Sequence, residues 1–161
     1  MISHPSPNFE VRRDGVKPTL VILHGTWTET VEESLGFLTS QTPPEGLGRV
    51  SAHYLIDRDG TLYSLVDESM RAWHAGVSHW QGIDDVNSAS IGIELQNNGK
   101  EDYTAAQIDA LIPLLQGIQA RHGIKTESIL GHEQVAPGRK DDPGPRFPWT
   151  LLRTKLAVAR L

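Results

Sequence analysis

Residues 19–26 read Thr-Leu-Val-Ile-Leu-His-Gly-Thr, and residues 90–95 read Ser-Ile-Gly-Ile-Glu-Leu. The first is a β-branched apolar run entered through Pro18, the pattern of a strand buried on both faces. It carries His24 to the strand's C-terminal end, at the rim of a sheet. The second is also a strand, with Glu94 set among Ile91, Ile93 and Leu95. Ser128–Gly131 is a third short extended segment, and it stops just before His132. Further out, Val50–Ile56 and Thr61–Val66 flank Asp57-Arg58-Asp59-Gly60. Asp-Gly supplies the positive φ of a tight turn, so these two segments are expected to form an antiparallel hairpin.

Helical spacing fills the intervals. Glu29–Thr39 places Val31, Leu35 and Leu38 on one face, with Thr28 as the expected N-cap. Thr104-x-x-Gln107 is a capping box that opens a helix with Ile108, Leu111, Ile112, Leu115 and Ile118 on its apolar stripe and Gly123 as its stop. Pro113 is expected to kink that helix near its middle. Pro148, at a first helical position, is expected to start a terminal helix reaching Leu161. Gln41–Gly48, Arg71–Ala89 and Ala136–Pro148 read as loops, the second being long enough to carry function. Strands alternating with helices in this order indicate an α/β (mixed α+β) fold: one central mixed β-sheet flanked by helices, in a single domain over residues 1–161.

The 161 residues include 15 basic and 20 acidic side chains, a formal charge of −5 without any Lys/Arg block. That charge pattern lacks the footprint of a nucleic-acid binder. The absence of cysteine excludes disulfides, thiolate zinc ligands, a Cys nucleophile and a lipidated Cys anchor. A metal site would have to use His, Asp or Glu. Met1–Asp14 has two prolines, two arginines and no long apolar run, so neither a signal peptide nor a membrane anchor is expected there. No membrane insertion and no obligate protein partner are expected.

Of the seven histidines, His4 and His122 need no special role, the one in a terminus expected to fray and the other in the last turn of a helix. His53 is either core or a support for a neighbour, and His79 has no evident partner. His24 and His132 differ because each stands at the end of a short apolar strand beside a glycine. Either alone is more simply a hydrogen-bonded structural histidine. The segment Gly138-Arg139-Lys140-Asp141-Asp142-Pro143-Gly144-Pro145, taken alone, is a charge-balanced surface loop. Pro143, however, forces Asp142 out of the α region. In an extended segment, Lys140 and Asp142 would face one side and Asp141 the other. His24, His132 and Asp142 would then form a His₂/carboxylate zinc site with an open fourth position. Glu94 admits two readings: a residue on an exposed strand face, or a partly desolvated carboxylate suited to proton transfer.

Five segments occur in an order that strongly resembles one family: Leu23-His24-Gly25-Thr26, Val50-Ser51-Ala52-His53-Tyr54, Arg71-Ala72-Trp73-His74-Ala75-Gly76, Ser90–Leu95, and Gly131-His132-Glu133 through Arg139-Lys140-x-Asp142-Pro143-Gly144-Pro145. The resemblance, from about His24 to Trp149, is to zinc-dependent N-acetylmuramoyl-L-alanine amidases of the AmpD type, relatives of the peptidoglycan-recognition proteins and phage amidase lysozymes. It implies hydrolysis of the amide between the lactyl group of N-acetylmuramic acid, or its anhydro form, and L-alanine of the stem peptide. It assigns one Zn2+ per chain to His24, His132 and Asp142, and assistance in catalysis to Glu94 and Lys140. It assigns substrate contacts to Trp73, His74, Ala75, Asn87 and Arg139. Peptidoglycan or muropeptide is the implied substrate, and a cytoplasmic enzyme of muropeptide recycling the implied setting. Where several AmpD-type enzymes have basic residues just before the asparagine, this chain has Asp84-Asp85-Val86. The rival readings are a peptidoglycan-binding module without catalysis and an unrelated metallo-hydrolase using the same three ligands.

Overall fold

The structure, a computed structural model, describes residues 1–158. Its elements are β1 (Ile2–Ser3), β2 (Phe9–Val11), β3 (Leu20–Gly25), α1 (Val31–Thr39), β4 (Tyr54–Ile56), β5 (Leu62–Ser64) and β6 (Met70–Ala72), followed by α2 (Val86–Ala89), β7 (Ser90–Leu95), α3 (Ala105–His122), β8 (Ile129–Gly131), α4 (His132–Val135) and α5 (Trp149–Val158). Six strands form a mixed sheet in the order β1-β5-β4-β7-β3-β8, and β2 and β6 form a separate antiparallel pair. Strands β4, β7, β3 and β8 run parallel, while β5 turns back antiparallel on β4 as the Asp57–Gly60 turn dictates.

The two-residue repeat of a strand sorts the side chains between two layers. Val21 and Leu23 of β3, Tyr54 and Ile56 of β4, and Ile91, Ile93 and Leu95 of β7 pack in one large core with Ile108, Leu111, Leu115 and Ile118 of α3 and Leu152 and Leu156 of α5. On the opposite face Leu20 and Ile22 cluster with Ala75, Val86, Leu130 and Val135, and Leu55 with Leu38, Ala52 and Leu65. Each fully buried aliphatic side chain in these layers contributes about 1.5–3 kcal/mol. The same alternation puts His24 and Glu94 on the second face, at the C-terminal ends of adjacent parallel strands.

Several local expectations are corrected. The N-terminal segment is not frayed: β1 pairs with β5, β2 pairs with β6, and the His4 N–H donates to the Ser64 carbonyl. Arg12 is buried and donates to the carbonyls of Glu68, Asn87, Ser88 and Ser90, clamping this segment to α2 and β7. The stretch expected as one loop, Arg71–Ala89, begins in β6 and ends in α2, because β6 finds its partner in a distant segment that no local periodicity announces. Helix α1 starts two residues late, since Thr30 rather than Thr28 caps it by accepting from the Glu33 N–H, while the Thr28 hydroxyl turns inward to Ser34. In α3 the Thr104/Gln107 capping box and the αL stop at Gly123 are present, and Pro113 does not end the helix. The expected end of the last helix at Leu161 lies outside the described residues.

Candidate active site

β3 delivers His24 to the second face, β8 hands His132 to the first residue of α4, and the loop after α4 returns Asp142 to both. All three are buried, with ligand atoms that lie within 4.8 Å of one another. His24 Nδ1 is 3.0 Å from His132 Nδ1 and 3.2 Å from Asp142 Oδ2, and His132 Nδ1 is 3.1 Å from Asp142 Oδ1.

The surrounding hydrogen bonds decide where the imidazole protons are. The Ser90 hydroxyl donates to the Val86 carbonyl at 2.6 Å, so Ser90 Oγ must accept from His74 Nε2 at 3.2 Å. His74 Nδ1 is then unprotonated and accepts from His24 Nε2 at 2.9 Å. His132 Nε2 in turn donates to the Ala75 carbonyl at 2.9 Å. His24 Nδ1 therefore presents a lone pair to the Asp142 carboxylate, and the Ala75 contact turns His132 Nδ1 towards the same carboxylate. Burial pushes the His24 pKa down to about 4 and that of His74 well below its ordinary value, so neither ring gains a second proton near neutrality. Two imidazole nitrogens and a carboxylate converge at these distances, a donor set that fits a cation with mixed nitrogen and oxygen ligation.

Glu94 Oε1 is 3.9 Å from His24 Nδ1, and Glu94 Oε2 is buried without a hydrogen-bond partner. Burial first, and then the neighbouring Asp142 charge, hold its pKa well above the carboxylate range, with Lys140 opposing. Glu94, His24, His74, His132, Asp142, Arg139 and Lys140 line one cavity of about 360 Å³. Asp141 also lies on its rim, so the expected two-fold alternation buries Asp142 without turning Asp141 wholly away.

The residues expected to contact substrate divide. His74 and Arg139 line the cavity, whereas Trp73, Ala75 and Asn87 do not. Trp73 packs beneath the Arg49 guanidinium. Asn87 Oδ1 accepts from the His74 and Ala75 N–H groups at 3.2 and 2.8 Å, and the Ala75 carbonyl accepts from both His132 and Arg139. Segment 73–76 is thus a brace behind both His24 and His132. His53 is a second brace: its Nδ1 accepts from the Gly92 N–H and its Nε2 donates to the Met70 carbonyl. His79 pairs with Asp84 at the surface, and Asp85 caps α2 and pairs with Arg71, so neither acid lines the cavity. Trp27, not singled out in the sequence, stands at the cavity mouth.

Residues 14–145 match the N-acetylmuramoyl-L-alanine amidase family. The chain belongs to that family. The 1,6-anhydro-N-acetylmuramyl-L-alanine amidase AmpD of Salmonella typhimurium strain SL1344 is 35% identical over 173 aligned residues, covering 96% of this chain and 89% of the relative. A crystal structure of the selenomethionine derivative of AmpD superposes with a TM-score of 0.85 at 33% identity, covering 96% of this chain and 93% of that one. The amidase AmiD of Escherichia coli, solved with anhydro-N-acetylmuramic acid-L-Ala-D-γ-Glu-L-Lys, superposes with a TM-score of 0.79 at 36% identity, covering 91% of this chain and 60% of that one.

Proposed function

We propose that this chain, a single amidase domain along its whole length, hydrolyses the amide between the lactyl group of N-acetylmuramic acid, or its anhydro form, and L-alanine of peptidoglycan fragments. The observation that carries the reading is the convergence of the His24 and His132 Nδ1 atoms and the Asp142 carboxylate at the floor of an open cavity. Family membership supports the bond, and the anhydro-muropeptide named with AmiD supports the substrate class.

His24, His132 and Asp142 would hold one zinc ion per chain. Zinc bound there supplies a Lewis acid and makes water a usable nucleophile near neutral pH. Glu94, unpartnered at Oε2 and facing the same space, takes a proton from the attacking water and returns it to the leaving alanine nitrogen. The Lys140 ammonium, on the cavity wall, meets the negative charge that gathers on the carbonyl oxygen as the carbonyl carbon becomes tetrahedral. His74 and the Ala75 carbonyl keep the ligand imidazoles in the required tautomers. Arg139, anchored to the Ala75 and Val77 carbonyls, frames the entrance for substrate.

No helix among the described residues is long and apolar enough to cross a membrane. A cytoplasmic role in recycling muropeptides is part of this proposal, and cell fractionation tests it. Mass spectrometry of muropeptides after incubation tests the reaction: free stem peptide and peptide-free sugar are expected. Intact substrate, or cleavage at another bond, overturns the reading.

A further inference from the structure

Trp27 stands three residues beyond His24 at the mouth of the cavity, with a backbone φ of 53°. A bulky aromatic residue rarely occupies that left-handed region. Its indole is seated among glycines remote from one another in sequence: a Cβ at Gly25, Gly99 or Gly144 would stand 2.7, 3.4 or 3.2 Å from ring atoms. Despite this close seating the residue remains 45% exposed. A side chain that strains its backbone, is held by close backbone approaches and still faces water does little to fill the core. Such strain persists where the surroundings over-determine it, commonly at sites of binding.

From the cavity a groove of about 640 Å³ continues past Glu94, Arg139 and Lys140. Its wall is rich in apolar side chains: Phe37 and Leu47 belong to the groove alone, Trp27 and Val50 also border the cavity, and each is between 38% and 53% exposed. The groove's two cations, Arg139 and Lys140, both border the cavity, and the part of the groove beyond it, past Phe37 and Leu47, is lined by no cation. The substrate of the proposed reaction has two chemically unlike arms on either side of the scissile amide. The peptide arm carries carboxylates, which cations match. The sugar arm is a pyranose whose flat C–H face matches the face of an indole and gains from leaving water.

We propose that Trp27 is a specificity-determining residue that stacks on the hexosamine ring of the muramyl group, and that the groove from Trp27 to Leu47 is the sugar subsite. The inference rests on the amidase reading.

The test compares a muramyl tripeptide with the D-lactoyl tripeptide of the same stem, which keeps the scissile amide and lacks the sugar. Wild type, Trp27→Ala and Trp27→Gly are assayed on both, and glycine suits the left-handed backbone if alanine strains the fold. For each variant we expect KM for the muramyl tripeptide to rise about tenfold or more, the size of losing one aromatic anchor, with the D-lactoyl tripeptide turned over as by wild type. Equal losses on both substrates, or none on either, overturn the sugar subsite while leaving the amidase reading intact. A wild-type protein inert on both overturns that reading and the subsite with it.

Discussion

His24 and Glu94 are register partners on the adjacent parallel strands β3 and β7, and their side chains leave the sheet on the same face with Nδ1 and Oε1 3.9 Å apart. The pairing brings the carboxylate to the His24, His132 and Asp142 cluster without making it a member. Glu94→Gln is expected to keep the fold and the bound metal while kcat falls by about 10²–10⁴, the range for a positioned acid/base. Metal analysis and kinetics on one preparation check it, and unchanged turnover would return Glu94 to a residue of the strand face.

Lys140 shares the cavity, and among the described residues its ammonium has no hydrogen-bond partner, so its contribution is expected in the transition state. Lys140→Ala should lower kcat and kcat/KM together by about 10²–10³ with metal content intact. A rise in KM alone would make it a substrate-binding group instead.

Gly92 lies between Ile91 and Ile93 because the His74 ring occupies the space above it: a Cβ there would stand 2.4 Å from His74 Cγ. Gly92→Ala is therefore expected to push His74 off His24 and weaken metal binding by about 10–100-fold, as loss of an outer hydrogen-bond partner does. His74→Ala should reproduce the effect. Competition with a chromophoric chelator measures it, and wild-type affinity in both variants would remove His74 as the brace of His24.

Far from the site, Glu68 accepts hydrogen bonds from Tyr54, Arg121 and His122. Burial alone would raise its pKa, but these donors together bring it down to about 2 from 4.5. A depressed carboxylate pKa adds stability that is complete above the unfolded value and is lost as pH falls from about 4.5 towards 2. Glu68→Gln should thus cost about 1–2 kcal/mol at pH 7, allowing for the water that still reaches the cluster, and much less at pH 3. Thermal melts across that range check the sign, and a pH-independent loss would deny the ionic origin.

What the sequence made legible is what local chemistry dictates. The strand ending in His24, the Asp57–Gly60 turn and the Thr104 capping box each depend on neighbours within a few residues. The His24, His132 and Asp142 cluster was legible too, because strand ends and the Pro143 constraint each speak locally. The rest depends on contacts across long separations. Arg12 holds carbonyls 56 to 78 residues away, and β6 takes shape only by pairing with β2. The resemblance implied that segment 73–76 lines the groove; His74 borders the cavity, and the hold of Asn87 on the segment's backbone, 12 or 13 residues away, is seen only in the fold. Trp27 gave no signal, since its strained backbone and the glycines around it meet only in the fold.

Zinc content and amidase turnover followed together, as metal is returned to stripped protein, test most directly whether His24, His132 and Asp142 hold the ion on which amide hydrolysis depends. Both are expected to rise in step and saturate at about one zinc per chain, with His24→Ala, His132→Ala and Asp142→Ala failing in both, because each removes one ligand bond. Full turnover in the stripped wild type, or full zinc occupancy in Asp142→Ala, would contradict it.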